Sequence, residues 1–159
     1  MALKLSELVK DKNKINLLEI WSDWIWLIAA QKDILLITVF GDLFLVGPFN
    51  EINWLDSGTG RLSIAANSLN EFQELLKDNE IFANWFMTDI YNALNEQNIT
   101  LKENEVYSYK LLPSLGGEYS PDNFEPTDLN VHFSLAGQIH KKIKDLPPGT
   151  NVNISLEDN

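Results

Sequence analysis

Ile34-Leu35-Leu36-Ile37-Thr38-Val39-Phe40-Gly41-Asp42-Leu43-Phe44-Leu45-Val46-Gly47-Pro48 carries most of what can be read about the architecture of this chain. Ile34 to Phe40 is a β-branched and aromatic run, which suits a pleated strand, and it is stopped by Gly41-Asp42. Leu43 to Val46 resumes the apolar run before Gly47-Pro48, so the whole reads as a hairpin or as one strand with a glycine bend. Apolar residues at nearly every position predict burial on both faces.

The next stretch repeats the theme. Glu51-Ile52-Asn53-Trp54 alternates polar and apolar residues, and the alternation returns in Arg61-Leu62-Ser63-Ile64-Ala65. Between them lies the glycine-rich turn Asp56-Ser57-Gly58-Thr59-Gly60, which predicts a second hairpin.

Helical spacing appears on either side. Upstream, Leu17, Trp21, Trp24 and Ile28 fall on one helical face, and Leu3 to Lys12 has the spacing of a short peripheral helix. Downstream, Ser68 with Glu71 has capping-box spacing ahead of Leu69, Phe72, Leu75 and Leu76, and a second helix is predicted from about Ile81 to Asn95. Val106 to Leu111 reads as a strand. Pro113 to Asn123, with its two prolines and Gly116-Gly117, reads as an ordered loop. Thr127 or Asp128 can cap a last helix, Leu129 to Lys144, with Val131, Leu135, Ile139 and Ile143 on one stripe and lysines in its final turn. Leu146-Pro147-Pro148-Gly149-Thr150 stops it, and Asn151 to Leu156 alternates as a short closing strand.

This order of elements lacks the regular strand–helix alternation of a doubly wound sheet. The expected fold is α+β: one domain over residues 1–159, with a mostly antiparallel sheet of about five to six strands covered by helices. Within it, residues 1–16 are the peripheral N-terminal helix.

Charge is the strongest compositional signal. The chain has 23 acids and 12 bases, a net charge of −11, and between Asp33 and Asp128 there are 16 acids against four bases. Such a body repels phosphate backbones and anionic lipid and steers towards basic partners, while also serving solubility. The chain has no cysteine, which excludes disulfides, thiolate metal sites and thiol catalysis. No secretory signal pattern opens it, and its greasiest region, Trp24 to Val46, is interrupted by Lys32, Asp33 and Asp42, so a cytoplasmic protein without a membrane span is expected.

Chemistry-bearing motifs are scarce. His132 and His140 lie eight apart on the last helix, which rotates one about 80° from the other. They cannot share a zinc without a third ligand, and HExxH is absent. Phosphate-binding and serine-hydrolase signatures are missing too. Asp42 with Asp56, or Glu118 with Asp122, could be drawn as a carboxylate acid and base, although such pairs are common in so acidic a chain. Tryptophans could form a stacking platform, but without interleaved bases they read as core, with Trp24 or Trp26 as the candidate for an interface. The expectation is a non-enzymatic binding protein with no cofactor or metal; a housekeeping or regulatory binding module and a carboxylate-dependent enzyme stand as alternatives.

Two groups of residues resemble a bacterial family, the C-terminal domain of type VI secretion DNase-immunity proteins. The first is Gly41-Asp42-Leu43-Phe44, Trp54-Leu55-Asp56, Gly60, Ala66-Asn67-Ser68 and Glu71-Phe72. The second is Pro113-Ser114-Leu115-Gly116-Gly117-Glu118-Tyr119, Asn123, His132, Gly137-Gln138-Ile139-His140 and Leu146-Pro147-Pro148-Gly149-Thr150. Together the two groups cover roughly residues 17–152, the family-like core, and some relatives carry a further N-terminal domain for which this chain is too short. The resemblance implies an immunity protein that binds and neutralises a cognate toxin, a DNA-cutting one among the expectations, in the cytoplasm of its producer. The acidic body would then occupy a basic cleft built for phosphate. Asp42, Asp56, Glu118, Asp122 and Asp128, taken as loop acids, are the expected contacts with that basic toxin domain, with no direct binding of nucleic acid.

Overall fold

In the computed structural model, which describes residues 3–152, the first apolar run is a hairpin rather than one bent strand, the predicted second hairpin forms, and the two join edge to edge. β1 (Asp33–Ile37) pairs with β2 (Leu43–Val46), β2 with β3 (Ile52–Asp56), and β3 with β4 (Arg61–Ala66), all antiparallel, giving a meander in the order β1-β2-β3-β4. β2 is buried on both faces, as its unbroken apolar run requires. Phe44 lies in an aromatic cluster with Phe72, Trp85 and Phe86, while Leu43 and Leu45 alternate to the opposite side.

The helices follow the 3.6-residue pattern with one interruption. α1 (Leu17–Ile28) starts where the Asn16 side chain accepts from the Leu18 amide, and α2 (Leu69–Leu75) where Ser68 accepts from Glu71. The helix predicted from Ile81 to Asn95 is two helices, α3 (Asn79–Phe86) and α4 (Thr88–Glu96). Met87 between them has a left-handed backbone with φ +47°, which ends one helix and re-aims the next.

A second, two-stranded antiparallel sheet joins β5 (Glu105–Tyr109) to β6 (Phe124–Asp128). β6 sits at the end of the predicted loop and carries Pro126, a residue tolerated only where a strand has a free edge. The architecture is thus α+β in one domain, with six antiparallel strands among the described residues, divided four and two. The Tyr107 amide donates to the Val39 carbonyl at 2.7 Å and links the two sheets.

α5 (Leu129–Ile143) packs on α1. A Cβ at Gly137 would come within 2.5 Å of the Asp23 carbonyl oxygen, so glycine permits the approach, and the Trp24 indole donates to the Phe133 carbonyl at 3.1 Å across the helix pair. The buried face of α5 is not the predicted stripe. Leu129, His132, Phe133, Ala136, Gly137 and His140 turn inward, while Val131 and Leu135 are exposed. On α1 the buried positions are Ile20, Trp24 and Ile28; Trp26 is half-buried and stacks on Trp24 at 5.7 Å.

The N-terminal segment is not the expected helix. It forms two single 3-10 turns, Leu5–Glu7 and Lys12–Lys14, around a bridge from Val9 to Thr38. Leu8 is fully buried, and the Val39 amide donates to its carbonyl, so this segment covers the outer end of the β1 hairpin. Of the predicted closing strand, Asn151 and Val152 are not in a strand, and the remainder lies outside the described residues.

Candidate functional site: an acidic, aromatic cleft

The turn between β1 and β2 is closed by its own side chains. Thr38 Oγ1 accepts from the amides of Phe40 and Asp42, and Gly41 takes φ +72°. This turn throws the Asp42 side chain inward. One carboxylate oxygen accepts from the Ser57 amide at 2.9 Å and the Ser57 hydroxyl at 3.0 Å, the other from the Trp54 indole at 3.3 Å. Burial, followed by the nearby Asp56, pushes the Asp42 carboxyl well above the usual carboxylate range, against the pull of these three donors.

His132 completes the network from α5. Its Nε2 lies 3.0 Å from the Gly41 carbonyl oxygen and 3.2 Å from Ser57 Oγ, and its Nδ1 lies 2.7 Å from Ser108 Oγ. A carbonyl only accepts, so Nε2 carries the proton and Nδ1 accepts from the Ser108 hydroxyl. Burial holds the ring neutral, with its pKa lowered to about 4. Asp42, Ser57 and His132 are the residue types of a hydrolytic relay, but Ser57 is fully buried and gives its hydroxyl proton to Asp42. The histidine nitrogen nearest Ser57 is already protonated, so the imidazole does not serve as a base for this hydroxyl.

The second turn meets the second histidine. Gly60 has φ +71°, and a Cβ there would sit 2.2 Å from His140 Cδ2. His140 Nε2 is 3.4 Å from Ser114 Oγ, and its buried Nδ1 has no hydrogen-bond partner among the described residues. The Ser114 amide donates to the Gly58 carbonyl, tying the Gly-Gly loop to this turn. That loop is ordered as predicted. Asn123 accepts from the Leu111 amide and donates to the carbonyls of Leu111 and Glu118, and a Cβ on Gly117 would overlap the Leu111 carbonyl oxygen at 1.7 Å.

These pieces enclose a cleft of about 530 Å³. Asp42, Trp54 and Asp56 line it from the hairpins; Trp85, Met87, Asp89 and Ile90, with Ala83 and Asn84, from the α3–α4 junction; Tyr109 and Tyr119 from β5 and the loop. The wall has three acids, four aromatic rings and no basic side chain. Burial raises the hydroxyl pKa values of Tyr109 and Tyr119, and Asp42 and Asp56 add to both shifts.

Of the five acids singled out in the sequence, the structure brings Asp42 and Asp56 to this cleft. Asp42 is not a surface acid: it is 2% exposed and is spent on joining the two hairpins. Glu118 is exposed on the loop beside Tyr119, and Asp122 is exposed in the 3-10 turn Pro121–Asn123. Asp128 is the N-cap of α5, accepting from the Val131 amide and the Asn104 side chain. Asp89, Trp85 and Tyr109 were not foreseen as cleft residues; their helical and strand periodicity marks them as core or surface and carries no sign of a shared cavity. Among the described residues no group of three or more histidines and acids is placed to hold a metal, and no helix is long and apolar enough to cross a membrane.

Comparison with known proteins adds a family match over part of the chain. The model of the family described as T6SS immunity protein Tdi1, C-terminal, matches residues 66–140, which run from the end of β4 through most of α5. This is the family that the sequence blocks resemble. The crystal structure of Atu4351 from Agrobacterium tumefaciens is similar at 20% identity with a TM-score of 0.57; the match covers 78% of this chain and 65% of that one. At that identity the likeness concerns the fold. No curated protein matches.

Proposed function

Taking residues 66–140 as a region of the Tdi1 immunity type, we propose that this chain neutralises a cognate secreted toxin by binding it directly, in the cytoplasm and without catalysis. The family match is the single observation that carries this reading. The charge supports it, since a body at −11 attracts a basic protein and repels DNA. A DNA-cutting toxin is the natural target, because its active cleft is built to receive phosphates and can receive carboxylates in their place.

The proposed contacts are Asp56, Glu118 and Asp122. Asp42 is proposed to position the floor beneath Asp56, and Asp128 to cap α5 rather than to touch the partner.

Co-expression with the toxin encoded beside it tests the reading. Cells producing the toxin survive when this chain is present and die when it is absent; equal killing in both overturns it. A purified pair should also associate at least tenfold more slowly in 0.5 M than in 0.05 M salt, because screening removes the steering.

A further inference from the structure

We infer that the cleft between the β3–β4 turn and the α3–α4 junction is a socket for one arginine side chain of the basic partner, an inference that rests on the toxin-binding reading. The walls argue for a flat cation. Trp54 stacks one face on Phe44, with 13° between the planes, and Trp85 stacks one face on Phe72, with 18°. Both tryptophans also line the cavity. Tyr119 stands edge-on to Tyr109 at the mouth and is 54% exposed, an unusual outlay of aromatic surface beside carboxylates.

Aromatic faces attract cations, and a guanidinium can stack on them while donating to carboxylates in its plane. Asp56 and Asp89 supply those acceptors, and among the described residues neither is in an ion pair. Other ligand classes fit less well. Phosphate would meet three acids and no base. A hard divalent cation would need several oxygen ligands at short range, and Asp42 is already committed to Ser57 and Trp54. The volume exceeds that of one side chain, which leaves room for the residues flanking the arginine on a partner loop.

The test uses the full chain and N-acetyl-L-arginine amide as probe, followed by the indole N–H signals of the five tryptophans. Saturable shifts are expected on Trp54 and Trp85 with a Kd on the order of millimolar, the strength of one side chain taken alone. Asp56→Asn should weaken binding at least fivefold; asparagine keeps the oxygen that accepts from the Gly58 amide, so the turn survives. Asp89→Asn, on an exposed helix turn, provides a second variant and should weaken it by a similar factor.

The neutral citrulline analogue should give no saturable shift. An equal response to citrulline, shifts spread over all five tryptophans, or no saturation with the arginine probe would overturn the socket. A lysine analogue that binds as well as the arginine one would overturn the choice of guanidinium. The parent reading is separable: a chain that fails to bind the probe but still protects cells from the toxin refutes the socket alone.

Discussion

Two turns of the main sheet meet two histidines of α5, with nearly the same geometry and unequal tethering. Gly41 and Gly60 take φ +72° and +71°, and a Cβ on either would come within 2.1 or 2.2 Å of a histidine ring. His132 has both nitrogens bonded and is locked between Gly41, Ser57 and Ser108. Among the described residues His140 has one long contact to Ser114 and one nitrogen without a partner. Close packing by itself therefore does not identify a rigid joint; the hydrogen bonds on the far side of the ring do, because they remove its freedom to retreat.

The sharpest way to break this comparison is to add one methyl group at each glycine. Gly41→Ala is expected to cost about 4 kcal/mol, combining left-handed backbone strain with overpacking against a ring that cannot move. Gly60→Ala is expected to cost about 2 kcal/mol, since the His140 ring can give way. Urea unfolding at constant m-value measures both, and equal losses would show that tethering is not what separates the two turns.

An effect between those two is expected from pH. The folded-state pKa of His132, about 4, lies below the ordinary 6.5, so the unfolded chain takes the proton first. The stability tied to its neutral ring is complete above pH 6.5 and lost as pH falls through about 4, a total of ~3 kcal/mol. Between these values the wild-type chain should lose up to ~1.4 kcal/mol per pH unit more than His132→Gln, which has nothing to titrate there. Parallel pH profiles for the two chains would remove His132 from its assigned role. Asp42 works in the opposite direction: its raised pKa gives a contribution that is complete at low pH, below the ordinary carboxylate range, and is lost as pH rises through its folded-state value.

The smallest effect is expected at His140. His140→Phe removes a buried nitrogen that lacks a partner and keeps a flat ring against Gly60, so thermal unfolding should place its stability within about 1 kcal/mol of wild type. A loss well beyond that would mean that His140 is as firmly held as His132.

The same contrast explains what was readable in the chain. The hairpins, the caps at Ser68 and Asp128 and the ordered Gly-Gly loop follow from local chemistry, and local chemistry is written in neighbouring residues. The α5 face was misread for the complementary reason. Val131 and Leu135 look like a core stripe, yet His132, Gly137 and His140 are buried instead, because partners distant in the chain satisfy or require them. The N-terminal segment has helical spacing too, but between two short turns bonded to themselves the backbone of Leu8 and Lys10 pairs with Val39 and Ile37, which interrupts a helix. For the site, the sequence marked Asp42 and Asp56 as acids of interest and assigned both to the surface. It could not show that Asp42 is consumed by Ser57 and Trp54, nor that Asp89 joins the cleft from a helix 33 positions beyond Asp56.

Sequence alone therefore determined the class of fold, the strand pairs joined by short turns, and the strongly negative charge that limits the partners, since each depends on composition or on residues close along the chain. The tertiary structure decided which histidines and acids are buried, how the strands of the described residues divide into two sheets, and where three carboxyls and four aromatic rings enclose one cleft. Those outcomes depend on contacts between residues tens of positions apart, whose energies no local pattern records.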